Sequence, residues 1–279
     1  MPSVARVNSR RRTVLVAFVL ALVPMLAQAQ ATATHDCIME PAQIVQLGSP
    51  VVGIIDQVLV DRGDVVKKGQ PIVRLRSAVD VAAVAVLKAR AGSNARIAAQ
   101  QARLKLATNR LERARSLRDK GVISTDRFEE LESELEFALQ ELERERVEQE
   151  LARLEMQRAQ TALAQRTVRS PIDGIVMERL MSPGELVQQE NHVVRLAALA
   201  MLHVEVFLPV ALFPRVEIGM VARVKPNPPV TGEYEAVVSV IDRVFDAASG
   251  SFGMRLILLN DDLALPGGHR CTVTFDLRS

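Results

Sequence analysis

The hydrophobic pattern divides the chain into a long central stretch with helical period and flanking stretches with strand period. Residues 78–167 contain two glycines and no proline, and they are rich in alanine, leucine, glutamate, arginine and glutamine, the strong helix formers. Apolar residues recur there every three or four positions, which is the spacing of a coiled-coil seam. The predicted seam positions are Ile97, Gln101, Leu104, Leu111 and Ala114 on the first arm and Phe128, Leu131, Leu135, Ala138, Leu142, Val147, Leu151 and Leu154 on the second.

A break near the middle of this stretch predicts a hairpin of two antiparallel helices. Lys120 and Gly121 interrupt the periodicity, and glycine readily adopts the left-handed conformation that ends a helix. Ser124, Thr125 and Asp126 follow at once, and any of them can accept a hydrogen bond from the first N–H groups of a second helix. Each arm of about 42 residues would project about 60 Å. The hairpin is therefore expected to be a spacer or a docking rod.

An internal repeat flanks the predicted hairpin. Residues 49–75 and 170–196 align without a gap at an offset of 121 positions, and both alternate apolar residues at strand period between turns. The matched turn glycines are Gly53, Gly63, Gly174 and Gly184. Because so short a repeat cannot bury its apolar face alone, the two copies are expected to pack on each other and to hold the two ends of the hairpin together.

After the second copy, many short strands are expected, which is typical of a small antiparallel barrel. Strands are predicted at 202–208, 218–224, 234–244, 254–259 and 272–277, with a short helix at 212–217. The predicted fold class is α+β and elongated: a helical coiled-coil hairpin inserted in a β sandwich, followed by the barrel. The predicted domains are a signal peptide (1–29), an N-terminal strand or linker (30–44), the first half of the sandwich (45–77), the hairpin (78–167), the second half (168–197) and the barrel (198–279).

The amino-terminal residues have the pattern of a secretory signal peptide. Three arginines at 10–12 precede an apolar run at 13–26 and an Ala-x-Ala site, so cleavage is expected after Ala29. The run is short for a membrane span, although an uncleaved anchor is the alternative. The expected location is the periplasm. Loss of residues 1–29 removes four arginines and no acid, which changes the formal charge from +2 to −2 and leaves no indication of nucleic-acid binding.

The repeat carries a family resemblance. Its half-motifs, Ser-Pro-x-x-Gly-x-(Ile/Val) and Gly-(Asp/Glu)-x-Val, with a helical hairpin between them, resemble the biotinyl/lipoyl-like domain of periplasmic adaptor proteins, the membrane fusion proteins of the HlyD/RND efflux adaptor family. Carrier proteins of that fold modify a lysine on the turn between the two halves. The hairpin occupies that turn here, and Lys67 and Lys68 lie elsewhere, so no cofactor is expected.

Four residues around the hairpin turn extend the resemblance. Arg113, Leu117, Ser124 and Leu131 match the Arg-x3-Leu-x6-Ser-x6-Leu pattern of adaptors that serve resistance–nodulation–division (RND) transporters. The resemblance implies that they meet the helical end of an outer-membrane channel, with Arg113 as a donor and the leucines as apolar knobs. The alternative is that the leucines are ordinary seam residues, that Ser124 is only a helix cap and that Arg113 is solvated.

The two cysteines, Cys37 and Cys271, lie near the ends of the exported chain. The resemblance implies that the entering and leaving strands run close together, and disulfides persist in the periplasm, so a bond between them is expected. The alternative is capture of a soft metal by His35, Cys37 and Met39, which would face one way on an extended segment.

The resemblance implies a homo-oligomeric ring, trimeric or hexameric, that bridges an inner-membrane RND transporter to an outer-membrane channel. The membrane-proximal domain of longer relatives is not expected, because little chain remains outside the other domains. Alternative functions are an adaptor of an ABC exporter or type I secretion system, a periplasmic metal-binding or delivery protein, and a self-assembling coiled coil. No nucleophile–base pair, phosphate loop or zinc spacing indicates an enzyme.

Charge also divides between the arms of the hairpin, since the first is mostly basic and the second mostly acidic. The simplest interpretation is pairing across the flanks of the seam, with each exposed pair contributing about 0.5 kcal/mol or less. A further hypothesis is that neighbouring hairpins in a ring set a basic arm against an acidic one.

Overall fold

The computed structural model describes residues 1–5 and 34–275. The predicted signal peptide, except for its first five residues, lies outside these ranges, and so does the predicted end of the last strand at Leu277. Within them the expected fold class is confirmed: a helical hairpin is inserted in a β sandwich, and a barrel follows. In the same residues, no helix is both long and apolar enough to cross a bilayer.

The described residues form twelve strands and three α-helices, with one 3₁₀ helix at Val210–Arg215. The strands are β1 (Thr34–Gly48), β2 (Gly53–Val58), β3 (Val65–Val66), β4 (Pro71–Leu75), β5 (Thr167–Arg169), β6 (Gly174–Arg179), β7 (Leu186–Val187), β8 (His192–Pro209), β9 (Val221–Pro226), β10 (Tyr234–Ile241), β11 (Ser251–Leu259) and β12 (His269–Phe275). The helices are α1 (Ala78–Gly92), α2 (Ala95–Arg118) and α3 (Thr125–Ala164).

The two repeat copies interlock by exchanging short strands. β3 of the first copy pairs with β6 of the second, and β7 of the second pairs with β2 of the first. Matched residues make matched bonds: the Gly63 N–H donates to the Val176 carbonyl at 2.9 Å, and the Gly184 N–H donates to the Ile55 carbonyl at 2.8 Å. Both glycines have φ of 94°, a left-handed conformation that side chains rarely adopt. Each copy therefore completes the pairing of the other.

Gly174, at the start of β6, is required for a different reason, namely the close approach of a neighbouring strand. A Cβ on Gly174 would lie 2.2 Å from the carbonyl oxygen of Ala197, so only glycine allows the neighbouring backbone this close. Inside the sandwich, aliphatic side chains from both copies form one buried cluster, in which Ile55, Ile72, Val176 and Leu196 are fully buried. The interlocked strands and this shared core hold the beginning of α1 near the end of α3.

Two long strands join the sandwich to the barrel. β1 and β8 pair antiparallel from Cys37 opposite Val206 to Gly48 opposite His192. The sequence predicted a strand or linker at 30–44 and a strand limited to 202–208, because the run of alanines near 198 obscures the strand period. The structure instead continues β8 from the second repeat copy into the barrel, and the predicted domain boundary at 197/198 falls inside it.

The barrel closes on itself. In the described part of the chain its strands follow the order β1, β12, β9, β10, β11 and β8, and β8 returns to β1, with every pairing antiparallel. The interior is filled by apolar side chains that include Met39, Val204, Phe252 and Leu256. Because the strands meet all the way round, the barrel has no open edge along these pairings.

A disulfide ties the first barrel strand to the last. Cys37 and Cys271 lie directly opposite each other on β1 and β12, with 4.9 Å between their Cα atoms, and their sulfur atoms are bonded. The bond spans 234 positions of sequence. It therefore links the start of the described fold to its end and fastens the pairing that closes the barrel.

The first arm of the hairpin is not one helix, contrary to the prediction. α1 ends at Gly92, Ser93 and Asn94 interrupt the helix, and α2 begins at Ala95. Glycine, serine and asparagine are all poor helix formers, and three in succession outweigh the helical residues around them. The Gln149 side chain of α3 donates to the Asn94 Oδ1 atom at 2.6 Å and to the Ser93 carbonyl at 3.3 Å, so the interruption is bonded to the second arm.

The seam of the second arm also departs from the prediction. Buried and half-buried positions continue the alternating three-and-four spacing beyond Leu142, through Glu145, Gln149, Ala152 and Met156. Val147, Leu151 and Leu154 are instead 51, 49 and 52% exposed, so the predicted seam was wrong there. It was also wrong at Gln101, which is exposed. The step of five residues from Leu142 to Val147 takes the predicted series off the face that packs on the first arm.

The roots of the hairpin share one arginine. The Arg166 Nε atom lies 3.0 Å from the Asp80 Oδ2 atom at the start of α1, and its Nη1 atom donates to the Val52 carbonyl at 2.9 Å. The Arg166 carbonyl accepts from the N–H of Leu75 at 2.8 Å. Both charged side chains are mostly buried, at 27 and 23% exposure, so the interaction is only partly screened by water.

We expect Arg166→Ala to loosen the roots, because it removes a mostly buried ion pair and a charged hydrogen bond. The expected loss is about 1–2 kcal/mol of local stability, which corresponds to roughly 5–30-fold faster hydrogen exchange at the Leu75 and Arg76 amides. Arg153→Ala is the control, since Arg153 pairs with Glu150 on the exposed surface and should change stability by no more than about 0.5 kcal/mol. Equal effects of the two variants would contradict the assigned role.

We expect reduction of the disulfide between Cys37 and Cys271 to lower the free energy of unfolding, nominally by about 5 kcal/mol, because it frees a very long loop in the unfolded chain. The measurement is the denaturant midpoint with and without reductant. A double Cys→Ser variant should be insensitive to reductant. Two free thiols in the mass spectrum of the unreduced, alkylated protein would show that the bond is not formed.

Candidate docking site at the hairpin tip

Glycine shapes the turn at the free end of the hairpin. Gly121 has φ of 72°, and its N–H donates to the Arg118 carbonyl at 2.9 Å, while the N–H of Val122 donates to the Leu117 carbonyl at 3.0 Å. These two bonds form a Schellman motif, in which a left-handed glycine satisfies the last carbonyls of a helix. The predicted glycine cap of the first arm is therefore present.

Ser124 begins the second arm. Its backbone is extended, and its Oγ atom accepts from the N–H of Arg127 at 3.4 Å. Asp126 lies in the first turn, where a negative charge complements the helix dipole. The hydroxyl of Ser124 is thus used as the helix cap, and the residue remains exposed at the turn.

A small apolar cluster supports the turn from below. Leu111, Ala114, Phe128 and Leu131 are buried against each other, and Ile123 covers them from the turn. The Arg118 guanidinium carbon lies 3.8 Å from the centroid of the Phe128 ring, a cation–π contact that contributes about 0.5–1 kcal/mol. The last residue of α2 is therefore fastened to the first turns of α3, which gives the tip a defined shape.

The structure separates the four sequence-predicted tip residues into two groups. Arg113 and Leu117 lie on the surface; Leu117 is 41% exposed, and among the described residues the Arg113 side chain makes no hydrogen bond or ion pair. Leu131 is 6% exposed and belongs to the apolar cluster. The expectation that Leu131 offers an apolar knob is therefore wrong, because its position on the seam turns it towards the first arm.

Val122 was missed by the sequence analysis. It follows Gly121 in the turn and is 70% exposed. Periodicity gives no information within a turn, so the available signal was the Schellman motif itself, in which the residue after the glycine commonly contacts the helix it ends. Here Val122 hydrogen-bonds to Leu117 through its backbone. Leu117 and Val122 together are the exposed apolar residues of the tip.

The charged arms pair with each other. Arg90 lies 3.2 Å from Glu155, and Arg110 lies 2.7 Å from Glu134, each ion pair joining the first arm to the second. All four side chains are more than 40% exposed, so each pair contributes little to stability. The simplest interpretation of the charge pattern is present in the structure: opposite charges flank the seam within one hairpin.

The alternative metal site is not formed. His35, Cys37 and Met39 do face one way, but that direction is the barrel interior, where Cys37 is bonded to Cys271 and Met39 is fully buried. Burial lowers the pKa of His35, with Asp36 opposing the shift, and its ring lies beside Phe275. Among the described residues, no group of three or more His, Cys, Asp or Glu side chains is arranged to hold a metal ion.

Comparison with known proteins identifies the family. The family model for the CzcB-like, barrel-sandwich hybrid domain matches residues 43–198, which include the hairpin and both repeat copies. The chain belongs to this family. The resemblance to periplasmic adaptors, the membrane fusion proteins, is thereby confirmed for the family and the fold. No curated protein matches the sequence.

Solved structures share the fold of this chain at low sequence identity. MacA from Actinobacillus actinomycetemcomitans matches with a TM-score of 0.72 and 20% identity, over 88% of this chain and 78% of that one. A MacA-MexA chimera containing the Pseudomonas aeruginosa MexA α-hairpin matches with 0.56 and 17%, over 88 and 81%. The membrane fusion protein Spr0693 from Streptococcus pneumoniae R6 matches with 0.55 and 16%, over 89 and 100%. At such identities these likenesses show the fold alone.

We expect Gly121→Ala to destabilise the tip of the hairpin, because alanine must hold a left-handed conformation that costs about 1–2 kcal/mol. Gly92→Ala is a matched control: a Cβ at either position meets no atom within 4 Å, but Gly92 does not have positive φ. Alanine there should stabilise the helix end by about 0.5–1 kcal/mol. Hydrogen exchange near each site measures both effects, and changes of the same sign would contradict the assignment.

Proposed function

We propose that this chain is the periplasmic adaptor of a tripartite efflux system, in which it bridges an inner-membrane RND transporter to an outer-membrane channel. The observation that carries the proposal is the shape of the hairpin: a rod with a 40-residue second arm, about 60 Å long, that ends in a preorganised tip. The sandwich holds the rod at its roots, and the tip presents Arg113, Leu117 and Val122 to a partner.

The tip chemistry fits the end of a helical channel. Arg113 supplies a planar fork of donors that can bind carbonyl or carboxylate groups, and Leu117 and Val122 supply apolar area close to it. Ser124 and Leu131 then act by positioning, one as the helix cap and the other within the supporting cluster. The spacing of these four residues, as in adaptors of RND transporters, favours an RND partner over an ABC exporter or a type I secretion system.

The other parts of the proposal follow from the same arrangement. We propose that the signal segment exports the chain to the periplasm, that several copies surround the transporter as a ring, and that the barrel and sandwich face the transporter while the hairpins reach the channel. No cofactor or catalytic step is part of this function. The disulfide between Cys37 and Cys271 suits an oxidising compartment.

We expect Leu117→Glu and Val122→Glu to weaken docking by about tenfold each, because each puts a charge where an apolar side chain is buried on binding. Leu139→Glu is the control: Leu139 is 48% exposed, close to the 41% of Leu117, but lies on the shaft of α3. The measurement is resistance of a deletion strain to the exported compounds when each variant replaces the wild-type chain. Equal loss of resistance in the control would contradict docking at the tip.

We expect a cysteine-reactive cross-linker placed by Ser124→Cys to capture an outer-membrane channel in whole cells. The same reagent on Leu139→Cys should capture no channel, because that position lies about 22 Å along α3 from the tip. Capture of an inner-membrane protein from Ser124→Cys would place the tip at the wrong membrane. Identification of the transporter that co-purifies with this chain from the same cells then distinguishes an RND partner from an ABC exporter.

A further inference from the structure

α3 carries apolar side chains on two opposite sides. The inner side is the seam with the first arm, and the outer side has a second row, which we call the outer stripe: Val147, Leu151 and Leu154. These residues are 51, 49 and 52% exposed. Val147, Leu151 and Leu154 follow one another at steps of four and three, the spacing of a coiled-coil seam. At about 100° per residue the row is turned roughly 160° from the inner seam.

Over one part of its length, α3 has polar residues on the inner side and apolar residues on the outer side. Between Leu142 and Ala152 the inner seam positions are polar: Glu145 lies 3.7 Å from Arg144, and Gln149 bonds the interruption between α1 and α2. At this level the large apolar residues of α3 are on the outside. Water-exposed rows of this kind mark interaction surfaces, since burial of each Val or Leu would contribute about 1.5–3 kcal/mol.

The first arm has a matching row on its own outer edge. The exposed residues at coiled-coil spacing there are apolar and mostly small, and we call them the first-arm edge: Val79, Ala82, Val86 and Ala89 on α1, then Ala99 and Ala102 on α2. One hairpin thus has an apolar row on each of its two outer edges, with large residues on α3 and mainly alanines on α2 and the end of α1. Identical hairpins standing side by side would bring these unlike edges together.

The two rows lie at the same positions along the long axis of the hairpin, which we call the level of a residue. The ion pairs that join Arg90 to Glu155 and Arg110 to Glu134 show which residues of the two arms lie at the same level. By that relation Leu154 is level with about residue 91 and Val147 with about 98. A rotation about an axis parallel to the hairpin keeps every residue at its level. Rotated copies would therefore place Leu154 beside Ala89, and Val147 beside Ala99 and Ala102.

We propose that the outer stripe of α3 packs on the first-arm edge of a second copy of this chain, so that adjacent hairpins share a second apolar seam. The large side chains of the outer stripe would pack into the space left beside the small alanine side chains of the first-arm edge. The predominantly acidic second arm then lies against the predominantly basic first arm of its neighbour, and this complementarity selects the head-to-tail arrangement over a two-fold one. The inference rests on the proposed ring of adaptors and names its hairpin interface.

Cross-linking of single-cysteine variants tests which edges meet. The full exported chain is used, in which Cys37 and Cys271 are bonded and only the added thiol reacts with a short bis-maleimide. A mixture of the Val147→Cys and Ala99→Cys chains should give a cross-linked dimer, and the Val147→Cys chain alone should not. A dimer from Val147→Cys alone would indicate a two-fold contact and overturn the proposal, and so would a mixture that gives no dimer.

A substitution tests the apolar nature of the contact. Leu151→Glu should weaken self-association of the purified chain at least about tenfold in sedimentation experiments, because one buried leucine is replaced by a charge. Leu139→Glu, at nearly equal exposure but off both rows, should leave association unchanged. Equal behaviour of the two variants would overturn the proposal. No channel or transporter is present in these experiments, so their failure is distinguishable from failure of docking at the tip.

Discussion

Exchange of short strands between the two repeat copies is the constraint on which the rest of the structure depends. The seam of a helical hairpin holds its two arms together but does not orient the hairpin relative to the rest of the protein. Here β3 pairs with β6 and β7 pairs with β2, so the chain before the hairpin and the chain after it form one folded unit. Arg166 then bonds to Asp80 and to the Val52 carbonyl at the same place. The direction of the rod is therefore set by backbone pairing at its base.

The barrel is fastened to this base by continuous strands. β1 and β8 run from the sandwich into the barrel without a flexible connection, and the disulfide secures β1 to β12 where the barrel closes. The pairing of β1 with β8 shifts register between Pro41 and Gln43, where the barrel meets the sandwich, but both strands continue through the shift and connect the two parts. Loops concentrate at the ends of the strands, away from this ribbon.

Sequence reasoning succeeded where a pattern repeats and failed where a single local event decides. The gapless match of Ser49 with Ser170, and of the glycines that follow, predicted the interlocked sandwich, since each matched position carries the same backbone demand. The break at Ser93 was missed because the helical period of the long flanking segments hides an interruption of two residues. Leu131 was predicted both as a seam residue, from the periodicity, and as an apolar knob at the tip, from the resemblance; its burial confirms the seam position alone.

Charged contacts and apolar contacts make different contributions to the proposed joining of neighbouring hairpins. Pairing of Arg90 with Glu155 and of Arg110 with Glu134 uses charges of opposite arms within one hairpin, so these side chains are partly neutralised before any neighbour arrives. Exposed ion pairs of this kind weaken further with salt. The apolar residues of the outer stripe do not pack on the other arm of their own hairpin. Beside Gln149 the inner seam is polar, and the large apolar residues of α3 lie on the outer side instead. The free energy available for lateral contact therefore lies mainly in the displaced leucines and valine, and the charges select the orientation.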